Sequence, residues 1–274
     1  MKLKFERLTA NVGARVRGFR NSAIGDPGSA GALRDALHRY KLLTFHLPDF
    51  SAGDQIRFAG MFGEISTRGS GYGGAAPGKT EYVSNTRADG TLGNGPFHYH
   101  HDHLFYEQPL SALMLYGMEI PSSGTTTKFR DAHGFYESLP DESKATMRGI
   151  DALHLLDFRT DEHGNTERYM PSDGTEPEAP SCWRPFVSGN PQTGKRQLLL
   201  SPAIEDFRGI ERQAGFDLLR ALLRLGRYED DPDTTYVHHW KVGDLVIWDN
   251  MALAHARPPF DTSQPRTLRR TAIL

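Results

Sequence analysis

The chain has a single cysteine, Cys182, in 274 residues. Without a second thiol there is no intrachain disulfide and no thiolate metal cluster, and a reducing, cytoplasmic setting is the expectation. Long apolar runs are missing too. No stretch approaches the ~18 residues of a membrane span, and the opening residues, MKLKFERLTANVGARV, lack the apolar segment of a signal peptide. Charge of one sign is also absent: 32 basic residues stand against 34 acidic ones, with no long basic block. Nucleic acid is therefore not an expected partner. There is no internal repeat and no low-complexity tract. One soluble domain spanning residues 1–274, large enough to bury a sizeable core, is the resulting expectation.

What is present alternates early and turns strand-rich later. Ala30 to Tyr40 is spaced as a helix, Lys41 to Phe45 as a short strand, and Ser51-Ala-Gly-Asp54 as a capping box opening a helix through Phe62. Strand signals then dominate, in EYVSN, SALMLYGM, TTTKFRD, RQLLLS, TYVHHWK, DLVIWDN and TLRRTAIL. Short helices are expected over Ala132–Ser138 and Asp141–Arg148, a longer one over Arg208–Arg227, and a hairpin turn at Asn190–Gly194. Two stretches resist regular structure, the Gly-rich 66–79 and the polar 158–184. Segments of this kind are expected as covers over a site. The predicted class is β-rich α+β, with peripheral helices around a strand core.

The chemistry concentrates in FHYHHDHLFYEQPL, where four of the twelve histidines fall between His98 and His103, beside Asp102. Alternate strand residues share a face, so two ligand pairs compete. His100-x-Asp102 offers an imidazole and a carboxylate, which with a second histidine would complete the two-histidine, one-carboxylate triad of non-haem Fe(II) sites. His101-x-His103, with Gly95 before it and Glu107 after it, instead matches most of a cupin metal motif, although Met114 stands where that motif needs a glycine. If the strand is regular, His98 shares the face of His100 and faces a substrate, while His101 and His103 point away. The C-terminal run WDNMALAHARPPFDTSQPRTLRR then supplies His255, Arg266 and Arg270.

These pieces together resemble the taurine dioxygenase and 2,4-dichlorophenoxyacetate dioxygenase family of Fe(II)/2-oxoglutarate oxygenases. The likeness runs through RFAGMFGEI, YHHDHLF, PSSGTTTKFRD, VSGNPQTGKRQLLLSP and the closing WDN, His and two arginines. It implies a double-stranded β-helix, or jelly roll, with His100, Asp102 and His255 as catalytic metal ligands. It assigns the far carboxylate of 2-oxoglutarate to Arg266, assisted by Thr127, since a guanidinium grips a carboxylate through two parallel charged hydrogen bonds. Arg270 is matched to a substrate-binding arginine and suggests an acidic small molecule; His98 and Phe105 are the other substrate-side candidates. The activity implied is O2-dependent oxidation of a C–H bond, most simply hydroxylation, with desaturation or ring formation as alternatives. Because Asp102 is present, halogenation is disfavoured. A zinc hydrolase and a cupin-like binding protein are the competing classes, and a homo-oligomer is compatible with the resemblance.

Overall fold

The computed structural model describes residues 3–68, 80–155, 158–160, 166–168, 180–201, 203–225 and 231–274, with backbone alone for 158–160 and 166–168. Most of the two expected covers lies outside the described residues. The second ends earlier than expected, because Ser181–Pro185 is a strand paired antiparallel with Asp151–Leu155.

Two sheets form the centre. The larger has eight strands in the order Lys4–Arg7, Ala14–Arg17, Leu42–His46, Asp244–Asp249, Ala112–Glu119, Thr267–Ile273, Glu81–Ser84 and Gly90–Thr91. The smaller has four, Thr235–His239, Thr126–Asp131, Leu253–Arg257 and Phe97–His100, all paired antiparallel. Leu113, Leu115, Trp248 and Leu268 of the larger sheet pack on Phe129 and Leu253 of the smaller. Two facing sheets whose strands neighbour distant parts of the chain are consistent with the jelly-roll core.

Strand alternation sorts the residues of the larger sheet into two layers. Along Asp244–Asp249, Val246 and Trp248 face the smaller sheet, whereas Leu245 and Ile247 face outward, into a core with Leu33, Leu37 and Phe58. Those three come from the helices Pro27–Tyr40 and Ala52–Ala59. The first is capped by Asp26, which accepts from the Ser29 amide at 2.7 Å, and has Pro at its start. The second opens with the expected capping box of Ser51 and Asp54 but stops at Ala59, short of Phe62.

A third core lies behind the smaller sheet, where Tyr99, Ala254 and Ala256 meet Phe135, Phe186 and Phe207. The strand Ile204–Arg208 takes the start of what the sequence suggested as a helix, so that helix runs over Arg212–Leu225. His255 sits inside a strand of its own, Leu253–Arg257, rather than in a loop after the preceding one.

Candidate active site

Three parts of the chain deliver the metal-ligand candidates. His255 lies directly opposite His100 in the pairing of Leu253–Arg257 with Phe97–His100. Asp102 arrives by a different route from the one pleat alternation suggests, because the strand ends at His100. The chain then turns, with His103 in the left-handed conformation (φ 61°). Asn250 holds that turn: its side-chain oxygen accepts from the Asp102 amide and its nitrogen donates to the Asp102 carbonyl, both at 2.9 Å. Asp249 in turn accepts from the Met251 and Ala252 amides, which shapes the link into the strand carrying His255.

The result brings His100 Nε2 to 3.2 Å and His255 Nε2 to 3.8 Å from Asp102 Oδ1. Among the described residues this is the one group of three or more His, Cys, Asp or Glu whose ligand atoms all lie within 4.8 Å. Its protonation suits a cation. His100 Nδ1 lies 2.7 Å from the His98 carbonyl, so that nitrogen carries a proton and Nε2 is the atom turned toward the carboxylate. Burial pushes the His255 imidazole well below its ordinary pKa, and His100 adds to the effect, so His255 is a neutral donor. For Asp102, burial would raise the carboxyl, but Arg270, with His100 and His255, holds it well below the usual range. Two imidazole nitrogens and a carboxylate oxygen converging on one point are a donor set for a cation, and an N,N,O set with open positions fits Fe(II).

The same cavity holds Arg266, 2 % exposed, whose Nε donates to Thr125 Oγ1 at 3.2 Å and whose guanidinium stacks 5.1 Å from the Phe260 ring centre. Its Nη1 is buried with no hydrogen-bond partner among the described residues. Burial lowers its pKa to about 10, which still leaves it charged near neutrality. A buried cation with an unsatisfied donor calls for an anion, and a dicarboxylate reaching from the metal position meets that need. Thr127 also lines the cavity, with its Oγ1 accepting from Trp240 Nε1 at 2.9 Å. Leu113, Leu115, Trp248 and Leu268 supply apolar walls.

The other expected residues are placed as follows. Arg270 lines the cavity, but its two ends are engaged, Nη2 with Asp102 Oδ2 at 2.7 Å and Nη1 with Glu81 Oε2 at 2.9 Å. His98 does not face the cavity; it is exposed. Between the pairs His255 with His100 and Arg257 with Phe97 the register shifts, so two residues, His98 and Tyr99, stand opposite one, Ala256. The extra residue of this bulge turns Phe97 inward in place of His98. Phe105 is buried beyond the turn at His103, packed on the His103 and Tyr106 rings, and does not line the cavity. The cupin-like set is scattered: His101 Nδ1 meets the Leu200 carbonyl at 3.2 Å, His103 packs on Tyr106, and Glu107 is exposed.

Sequence reasoning missed Thr125, Trp240, Arg257 and Glu81. Thr125 was legible as the first threonine of GTTTKF. Arg257, whose guanidinium donates to the backbone carbonyls of Leu92 and Gly95, carried no local signal.

The chain is similar to known proteins along nearly its whole length. The (S)-phenoxypropionate/alpha-ketoglutarate-dioxygenase of Sphingobium herbicidovorans is 27% identical over 97% of this chain and 93% of its own length. Pentalenolactone F synthase of Streptomyces arenae is 29% identical, over 97% and 93%. A crystal structure of AAD-2 in complex with Mn(II) and N-oxalylglycine superposes with a TM-score of 0.80 at 25% identity, covering 100% of this chain and 97% of that one. The model of one protein family, described as taurine catabolism dioxygenase TauD, TfdA family, matches residues 4–272, nearly the whole length, and the chain belongs to that family.

Proposed function

We propose that the protein is an Fe(II)- and 2-oxoglutarate-dependent dioxygenase of a single domain that oxidises a C–H bond of a small molecule, most simply by hydroxylation. The observation that carries this reading is the meeting, in one cavity, of a His100, Asp102 and His255 donor set with a buried arginine, Arg266, whose Nη1 has no partner among the described residues. When bound, iron with 2-oxoglutarate and O2 supplies the oxidising power, with succinate and CO2 as co-products.

The chain's own residues do the rest. His100, Asp102 and His255 hold the metal. The His98 carbonyl fixes the His100 tautomer, and Arg270 keeps Asp102 ionised. Arg266 pairs with the far carboxylate of the cosubstrate, with Thr125 orienting the guanidinium and Thr127 beside it. Leu113, Leu115, Trp248 and Leu268 exclude water from the reacting centre. A zinc hydrolase would share the donor set but has no use for a buried cation aimed at a second anion.

The test is anaerobic addition of 2-oxoglutarate to the Fe(II)-loaded protein. A visible absorption band is expected, and it should disappear in His100→Ala and weaken in Arg266→Met. Admission of O2 should then release succinate. A protein that binds Fe(II) yet neither develops the band nor forms succinate is not this enzyme.

A further inference from the structure

Three arginines line the cavity, and each is already engaged. Arg257 spends its guanidinium on the carbonyls of Leu92 and Gly95. Arg266 belongs to the cosubstrate in the reading above, on which this inference rests. Arg270, the residue the sequence offered to an acidic substrate, is bridged between Asp102 and Glu81.

The Glu81 contact is built into the fold. Glu81 and Arg270 are directly opposed in the register between Glu81–Ser84 and Thr267–Ile273, so main-chain pairing sets their side chains on one face. Both are largely enclosed, with side chains 12% and 5% exposed. Moving the Glu81 carboxylate aside would leave the buried guanidinium with one of its two carboxylates missing.

Formal charges follow from the same groups. With Asp102 committed to the metal, Arg270 would present one positive charge to the substrate, and Glu81 cancels it. At a separation of about 5 Å and an effective dielectric constant of about 20, a second carboxylate brought to Arg270 is repelled by Glu81 by roughly a hundredfold in affinity. Val83, Leu92 and Phe97, which also line the cavity, are apolar. Val83 lies two residues from Glu81 along the same strand, hence on the same face.

We propose that Glu81 is a specificity-determining residue: by neutralising Arg270 it makes this enzyme select an uncharged, largely apolar small molecule over a carboxylate or sulfonate.

The probes are phenoxyacetate and phenoxyacetamide, equal in shape and differing in charge. Each is titrated anaerobically into the protein loaded with Fe(II) and 2-oxoglutarate, and its binding is read from the perturbation of the visible band. The wild type is expected to bind the amide in preference to the acid. Glu81→Gln, which keeps a hydrogen-bond acceptor for Arg270 and removes the charge, is expected to bind the acid roughly a hundredfold more tightly with the amide unchanged. Glu81→Asp, which keeps the charge, is expected to retain the wild-type preference. A wild type that favours the acid, or a Glu81→Gln variant whose acid-to-amide ratio does not move, overturns the proposal; so does a variant that binds no acid. Should Glu81→Gln fail to fold, the wild-type preference decides alone. Absence of the visible band from the wild type, by contrast, would overturn the proposed function and not this assignment.

Discussion

The two faces of the larger sheet are made by the same strands and serve opposite ends. On the outer face, Phe19, Phe45 and Phe58 meet edge to face with ring centres 5.2–5.5 Å apart. The arginine that enters this layer, Arg269, is paired with Gln55 Oε1 at 2.7 Å and the Phe50 carbonyl at 2.6 Å. On the inner face, Arg270 and Arg266 sit among ligand candidates, and Arg266 Nη1 is buried without a partner among the described residues. One layer satisfies its polar groups and supplies stability. The other leaves a buried guanidinium nitrogen unsatisfied, at a cost in stability, which in the proposed function the cosubstrate offsets.

The largest expected effect separates the layers outright. His100→Ala removes a metal ligand and should lower turnover at least about a thousandfold, while the melting transition of the metal-free protein moves little. Phe58→Ala in the outer core should cost about 3–5 kcal/mol of stability and leave turnover per folded molecule unchanged. The comparison breaks if denaturant midpoints and steady-state rates fall together in both variants.

A matched pair of arginines sharpens it. On the proposed function, Arg266→Met removes the cation that pairs with the cosubstrate and should raise the 2-oxoglutarate requirement about a hundredfold or more. The same change should leave the ligand-free protein as stable or slightly more so, because an unpaired buried charge is gone. Arg269→Met should do the reverse, costing about 2 kcal/mol or more by unpairing Gln55 and the Phe50 carbonyl, with no change in cosubstrate affinity. Equal stability losses in the two variants would show that Arg266 is as well satisfied as Arg269.

The third core, behind the smaller sheet, differs from both in burying histidines that lie outside the proposed ligand set. Burial lowers His101 to about 4, and burial with the Arg184 and His101 charges lowers His154 to about 3, both from 6.5. In the unfolded chain each ring gains its proton below about 6.5, while in the fold it stays neutral. Stability present above that pH is therefore lost as pH falls, by about 1.4 kcal/mol per unit for each histidine until its folded pKa is reached. Urea midpoints at pH 7.5 and 5 should reveal the slope, and His154→Gln should flatten it. A slope indifferent to that substitution would assign the effect to other groups.

How much of this was legible in the sequence depends on the range of the information. Capping at Ser51 and the strands with clear apolar content are local, and they were readable. The residues His100, Asp102, His255 and Arg266 were named from motif order, yet the reasoning that put Asp102 beside His100 was incomplete. Pleat alternation ends at His100, and Asn250, far along the chain, brings Asp102 in. The misplaced His98 has the same origin, since a bulge depends on the partner strand and leaves no mark in FHYH itself. Glu81 was invisible for a further reason: EYVSN gives a strand, and only the register against TLRRTAI sets its carboxylate on Arg270.

The smallest effect tests whether the outer layer is insulated from the chemistry. Ser51 accepts from the Asp54 amide at 3.1 Å, and Asp54 answers to the Ser51 amide at 3.1 Å, at the start of the helix Ala52–Ala59. Ser51→Ala breaks half of this reciprocal pair and should cost about 1 kcal/mol. That helix also carries Gln55, which donates to the Arg269 carbonyl and Thr271 Oγ1 at 3.0 Å each, so its loosening reaches the strand that bears Arg270 on its other face. If the layers are independent, the loss of stability appears without any change in the 2-oxoglutarate requirement, because main-chain pairing with Ala112–Glu119 and Glu81–Ser84 still fixes Thr267–Ile273. A measurable rise in that requirement would mean that the helix layer positions the site through Gln55, and the two faces would then have to be treated as one coupled unit.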